Sequence, residues 1–465
     1  MSGMIGCELL TDDPGPGITD PNASFYSARI QPIFEKRCNS CHGGLNPREG
    51  LNMETWDSLL VGSDHGGAMI PFSSESSTMI RLATQKLRTS HPDGRYELTQ
   101  DEINDLKRWI DDGARGPRDQ LPFAESKDLI YVAHEAEPFI SVIDPELMVV
   151  TREIDLFKLG FSLRARARHF AVEPDGSYWY ASIGSVLFAE AHWVVKFSRD
   201  NRVVSKIQMQ NAGQLLLHPT KDLLYASRLP NTGDTSRNLI EIRRSDMQFG
   251  SVNVLHKEAY AVALWPQGDF VFSASMEADR LVAVQVPHQR VCLSNINGIK
   301  HVIAYLAMAP GSSKMWGSGR FSGTLTKFDI SNPCSIVTNH SLWVGADPRQ
   351  LTYSPDGQRL YAAVRNSNRL VVLNAQEEVI EKTIQHEAMQ MPVGVSVTRD
   401  GKYLYVSSEN ELQVYRSRFS FEGVLETGTV TVFDTESMEV VKVIETRGGA
   451  AAMGSSVVVP LTTSG

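Results

Sequence analysis

The sequence predicts two domains in tandem, a small all-α domain followed by an all-β propeller of seven blades. Three observations carry this. Up to about Gly116 the apolar residues recur at helical spacing and helix-end signals flank them. From Ser126 onward, short β-rich runs alternate with tight turns and return every 44 to 47 residues. Between the two stretches stands Gly116-Pro117-Arg118, where the helical pattern stops. The boundaries read as a leader or tether over 1–24, the helical domain over 25–118 and the propeller over 119–465.

Composition sets the outer limits. The chain has 465 residues, 42% hydrophobic and 21% charged, ordinary for a water-exposed globular protein but too long for one ordinary domain. A net charge of −9 argues against nucleic acid as a partner. No apolar run reaches the ~18 residues a spanning helix needs.

The first 24 residues are rich in Asp, Pro, Gly, Thr and Asn, so a tether is expected rather than a packed unit. Met4-Ile5-Gly6-Cys7 resembles the lipobox of bacterial lipoproteins. Either the chain start lies inside a signal peptide and Cys7 carries lipid, or Cys7 is an ordinary thiol. A single lipid is a weak anchor without a second membrane signal.

In the helical domain, Ile30-Gln31-Pro32 places a proline at the start of a helix. Further on, Thr99 and Glu102 form a capping box, and the helix they start carries Leu106, Trp109 and Ile110 as an apolar stripe ending at Gly113. Directly after the first helix comes Cys38-Asn39-Ser40-Cys41-His42. Two thiols one short turn apart, each adding to a haem vinyl group, with a histidine to ligate the iron, are what covalent haem c attachment requires. The alternatives fit poorly: a structural zinc site needs four ligands and there is no second cysteine pair, and a thioredoxin-like motif belongs in a βαβ context. Cys38 and Cys41 are thus the expected covalent haem c residues and His42 the proximal iron ligand, with one haem per chain. Since bacteria attach haem c outside the cytoplasmic membrane, a periplasmic or cell-surface location follows.

Four stretches in order, QPIFEKRCNSCHG, TWDSLLVGSDHGG, PFSSESSTMIRL and LTQDEINDLKRWIDDGA, resemble the planctomycete-type cytochrome c domain over roughly residues 28 to 115. In that family a Met-Pro pair commonly precedes the last helix and its methionine is the distal ligand. This sequence has His91-Pro92 there. The resemblance therefore implies bis-histidine ligation by His42 and His91, with Met69 and Met79 as the alternative distal ligands. A second nitrogen ligand in place of a thioether lowers the expected reduction potential. Trp56 and Trp109 are expected as walls of the haem pocket.

The propeller pattern is anchored by Pro174-Asp175-Gly176, Pro355-Asp356-Gly357 and Asp400-Gly401, all hairpin signals. Aligned on such turns, His169, Gln214, Ala261, Tyr305, Gln350 and Gly394 take equivalent places on innermost strands, with steps of 45, 47, 44, 45 and 44 residues. The first blade, from Ser126, lacks an innermost strand. The stretch 450–458 can supply it and close the ring, which removes the open sheet edges. The text YVSSENE…GTVTVFDTESMEVVKVI resembles the YVTN-type propellers, among them lactonase-like and surface-layer proteins, and implies little about function.

Innermost strands begin at one mouth of the channel. That puts Arg168, His169, Gln214, Tyr260, Tyr305, Arg349 and Gln350 together, with Arg168, His169, Arg349 and Gln350 forming a candidate ligand site for an anion or polar molecule. A plain water-filled polar channel is the simpler expectation, since no acid/base pair or metal set is evident. The remaining histidines are scattered and expected mostly at the surface or in turns. His169 or His192 as ligand to a second cofactor would match cytochrome cd1 nitrite reductase, whose propeller has eight blades rather than seven. Cys292 and Cys334 lie at like places in neighbouring blades. Packed sheets about 10 Å apart exceed the ~7 Å reach of a disulfide unless a turn leans over. Trp179, Trp265, Trp316 and Trp343 are expected in interblade packing.

The resulting expectation is an extracytoplasmic monohaem electron-transfer protein whose propeller is a docking platform for redox partner proteins, among them a membrane-bound complex. Its rivals are a propeller-based oxidoreductase that passes electrons to the haem, and a surface structural protein.

Overall fold

The computed structural model describes residues 23–84, 97–185, 190–229, 235–265, 267–286, 290–296, 300–418 and 427–456. Cys7 and His91 lie outside the described residues. Among the described residues, four α-helices, α1 (Gln31–Arg37), α2 (Trp56–Val61), α3 (Thr78–Thr84) and α4 (Gln100–Asp111), precede seven four-stranded antiparallel sheets.

α1 does not begin at Pro32. A π-helical turn over Tyr26–Ile30 runs straight into it, and Gln31 N–H bonds the Tyr26 carbonyl. The wide turn makes room for a proline ring, which would otherwise press on the carbonyl four residues back. α4 is capped as its sequence indicates: Thr99 Oγ1 accepts from Glu102 N and Thr99 N donates to Glu102 Oε2 at 2.7 Å. The first and last helices cross at an aromatic contact, Trp109 lying 5.7 Å from Tyr26 and 6.0 Å from Phe34 between ring centroids. Arg29–Asp105 and Arg37–Glu102 ion pairs flank that crossing. Trp56 and Trp109 donate their indole N–H groups to the carbonyls of Ala114 and Arg115, which ties the chain leaving α4 back onto the helices.

The propeller closes as the repeat requires. The first blade has the order β28-β1-β2-β3, with the C-terminal strand β28 (Ala450–Ser455) paired antiparallel to β1 (Ile130–His134), then β2 (Phe139–Asp144), and β3 (Val149–Asp155) outermost. The innermost strands of blades two to seven are β4 (Arg166–Val172), β8 (Ala212–Leu217), β12 (Ala259–Leu264), β16 (Ile303–Met308), β20 (Pro348–Tyr353) and β24 (Pro392–Val397). Their pairing register places His169 opposite Ser182, Tyr305 opposite Ser318 and Gly394 opposite Ser407, so the 44–47-residue repeat is a true structural period. Each innermost strand carries a β-bulge near its start. A bulge unpairs one residue and re-aims it. The Oγ atoms of Ser227, Ser318 and Ser407 accept the N–H groups of Gln214, Tyr305 and Gly394 that the bulges turn out of the ladder. At the seam, Arg399 of blade seven bonds Asp128 at the head of blade one, and Asp128 also accepts from Ser456 just beyond β28.

Several expectations change here. His134, His192, His218, His256 and His301 are buried, not surface residues. They act as internal hydrogen-bonding pegs: His134 Nε2 meets Ser141 Oγ at 2.8 Å, and His218 Nε2 meets the Gly268 carbonyl at 2.9 Å. Cys292 and Cys334 are joined, with Cα atoms 4.7 Å apart. Cys334 sits in the loop between β18 (Thr324–Asp329) and β19 (Val337–Trp343), and that loop leans over β15 (Arg290–Asn295), which carries Cys292. Trp179 and Trp316 are buried, but Trp343 at the end of an outermost strand is 67% exposed.

The helical domain packs on the seam between blades seven and one. Ile70 joins the core formed by Ile130, Ile143, Val150 and Ile444. Arg152 lies over the Phe72 ring at 3.7 Å. Arg447, in the outermost strand β27 (Val440–Arg447), pairs with Glu137 and Glu153 of blade one, covers Phe139 and donates to Ser76 Oγ of the helical domain. One guanidinium thus ties together two blades and the helices.

Candidate functional site

Cys38 to His42 continue the last turn of α1. Cys38 N–H bonds Phe34 O at 2.9 Å, and Cys41 and His42 N–H groups both bond Cys38 O, at 3.0 and 2.9 Å. The tight turn sets Cys38 against the helical core that includes Phe34, Met53 and Met69. Both thiols are free of disulfide. Burial, reinforced by the Glu102 carboxylate and only partly countered by Arg37, pushes the Cys38 thiol up to about 12. In the fold it is therefore a neutral thiol, which argues against Cys38 as a thiolate metal ligand.

His42 Nδ1 lies 3.2 Å from the Arg48 carbonyl. A carbonyl can only accept, so Nδ1 carries the proton and Nε2 holds the ring's lone pair. A metal-ligating histidine needs that tautomer, fixed by that kind of bond. The carbonyl is held by a compact loop in which Arg48 N–H returns to Cys41 O at 2.9 Å. Two unbridged cysteines on one turn, an oriented imidazole beside them and an apolar floor fit a covalent haem c. Of the alternative distal ligands, Met69 is buried and Met79, at the start of α3, is partly buried; both belong to the helical core.

At the propeller mouth the structure brings together what the repeat alignment grouped, with added partners. Arg168 pairs with Glu135 and Arg349 with Asp347, which also holds Arg320. Glu135 and Asp347 lie outside the aligned positions, and no local pattern marks them. His169 lies 6.5 Å from Tyr305 and Tyr305 6.2 Å from Tyr260, between ring centroids. Leu215 N–H donates to His169 Nδ1, and burial brings the imidazole down to about 4, so it is neutral with its proton on Nε2. Burial, followed by the neighbouring Tyr260 phenol, holds the Tyr305 phenol well above its ordinary range. Gln214 reaches past the fourth blade to donate to Ala304 O at 2.7 Å in the fifth, and Gln350 exchanges two bonds with Met453 of β28. The amides thus brace the ring, and each arginine faces a carboxylate.

Comparison with known proteins agrees with this division. Residues 38–91 match the family model described as Planctomycete cytochrome C. No curated protein sequence matches the chain. Among solved structures, the Pseudomonas aeruginosa periplasmic gluconolactonase PpgL is similar with TM-score 0.57 and 14% identity, over 72% of this chain and 99% of that one. A functionally unknown protein from Desulfotomaculum acetoxidans gives 0.54 and 13% over 71% and 99%. Dihydro-heme d1 dehydrogenase NirN, solved in complex with DHE, gives 0.51 and 11% over 92% and 98%. At such identities the structural likenesses speak to fold alone. The chain joins a cytochrome c domain of the planctomycete type to a seven-bladed β-propeller.

Proposed function

We propose that the protein is an extracytoplasmic monohaem electron carrier, with haem c bonded to Cys38 and Cys41 and its iron held by His42 and His91. The observation that carries this reading is the Cys38–His42 turn with the His42 Nδ1 proton fixed on Arg48 O, inside the stretch that matches the cytochrome family. The bound group supplies one-electron exchange at iron. The chain's own residues orient the proximal imidazole, set Cys38 against an apolar core and fix the helical domain on the blade-seven and blade-one seam. With two protein ligands the iron has no open position, which suits electron transfer rather than catalysis. The propeller offers a rigid disc for docking redox partner proteins in a larger assembly at the membrane. The Cys292–Cys334 bond fits an oxidising compartment, periplasm or cell surface, and lipid at Cys7 would tether the chain there.

The test is expression with haem-attachment machinery in a bacterial periplasm. The product is expected to keep one haem per chain through denaturation and acid-acetone extraction, and Cys38→Ala/Cys41→Ala to lose it. Haem that extracts from the wild type would overturn the assignment. A second reading, in which the propeller oxidises a substrate and passes electrons to the haem, draws on the His169–Tyr305–Tyr260 cluster at the mouth. It would require substrate-driven haem reduction that His169→Phe abolishes.

A further inference from the structure

The loop that presents the Arg48 carbonyl to His42 is held from outside by the propeller. After Arg48 the chain turns through two consecutive left-handed residues, Glu49 at φ 57° and Gly50 at φ 69°. Gly50 suits that backbone, which L side chains rarely adopt, and a Cβ there would press on Asp64 Oδ1. Glu49 does not: a non-glycine residue in this region costs about 1 kcal/mol, so the conformation needs support from its surroundings. The support comes from both ends of the residue. Its carbonyl accepts from Asp64 N at 3.0 Å, and its carboxylate accepts from His65 Nε2 at 3.1 Å and from Arg418 Nη2. Arg418 belongs to the loop after β25 (Tyr403–Ser408) in blade seven, and its N–H bonds Glu445 Oε1 of β27. The path from blade seven to the proximal ligand is therefore short: Glu445, Arg418, the Glu49 carboxylate, the Arg48 carbonyl and His42 Nδ1.

We infer that Arg418 is a positioning residue for the proximal histidine, so that the propeller sets the strength of the His42 Nδ1–H bond and through it the reduction potential of the cytochrome domain. The inference rests on His42 being the proximal ligand. A firm hydrogen bond at Nδ1 makes the imidazole a stronger donor through Nε2 and favours ferric iron. Loosening the Glu49–Arg418 tie relaxes the strained backbone, weakens that bond and raises the potential. The tie is half-exposed, so the effect is a tuning rather than an assembly effect.

Charge must be separated from position. Glu49→Gln/Arg418→Met removes one charge of each sign and leaves the net charge unchanged. Glu49→Ala and Glu49→Gly remove the same charge, but glycine tolerates the left-handed backbone and alanine does not. Midpoint potentials and the His42 Nδ1 proton resonance are measured on the full-length holoprotein. The expected result is a raised potential and a displaced resonance in the neutral pair, a larger change in Glu49→Ala than in Glu49→Gly, and return towards wild type in Arg418→Lys. Unchanged potential and resonance in the neutral pair, or equal changes in the alanine and glycine variants, would overturn the role of Arg418. His42→Ala is run beside them. If it keeps the wild-type spectrum, the ligand assignment itself fails, a result distinct from the first.

Discussion

At the residue scale, the most informative side chains are the buried histidines. Burial brings His134 down to about 3 and both His169 and His256 to about 4; for His134 and His256 a nearby arginine adds to the effect. All three are neutral when folded, while the unfolded chain protonates them near 6.5. Below that value the unfolded state binds more protons, so stability rises with pH and is lost as pH falls from about 6.5 towards 4. Urea midpoints are expected to fall between pH 6.5 and 5, above the range in which carboxylates protonate, and His134→Gln should flatten that slope. A midpoint independent of pH over this window would contradict the assignment. The sequence concealed this role. A histidine at a strand end or in a turn, such as His134 or His256, reads as solvated, and only the serine opposite it, supplied by another strand, shows that it is an internal peg.

At the element scale, the helix ends were legible because their signals are local. Thr99 and Glu102 are three residues apart, and the cap they form is the one found. Thr99→Ala is expected to cost about 1 kcal/mol in the unfolding of the cytochrome domain, read by calorimetry. What joins distant elements was not legible. The Cys292–Cys334 bond depends on how far the β18–β19 loop leans, which spacing alone does not determine. With its ends 42 positions apart in sequence, the chain-entropy estimate of its contribution is about 4 kcal/mol, and reduction should lower the unfolding temperature measurably. Arg447 likewise serves two blades and the helices at once, though its own neighbourhood in sequence shows only a basic residue closing a strand. Arg447→Ala leaves Glu153, 5% exposed, without its cation and is expected to cost about 3 kcal/mol. It should also loosen the helical domain, seen as protease cleavage in the 116–126 connection while the propeller stays intact.

At the scale of the whole molecule, the seven-fold plan followed from one period and one closing strand. The repeat constancy gave the blades, and the missing innermost strand of the first blade pointed to the chain's end, where β28 lies. Truncation after Gly449 would leave β1 with an open edge. The expected outcome is loss of cooperative unfolding and aggregation, checked by calorimetry and light scattering. The placement of the helical domain on the seam had no sequence signature, because Ile70, Phe72 and Ser76 look like ordinary loop residues until Val150, Arg152 and Arg447 are set against them. The same is true of the Glu49–Arg418 tie, whose ends are 369 residues apart. In the helical domain the Cys38–His42 motif was legible from five consecutive residues, whereas the proposed distal ligand rests on His91 standing where the resembled family has methionine. The central claim is a closed, bis-histidine haem c that exchanges single electrons. A redox titration followed by absorption spectroscopy tests it most directly. The prediction is a single one-electron wave at low potential, an oxidised spectrum without the weak red band of methionine-ligated ferric haem, and no rapid binding of carbon monoxide by the reduced form. The methionine band would replace His91 by Met69 or Met79, and fast carbon monoxide binding would contradict the closed iron altogether.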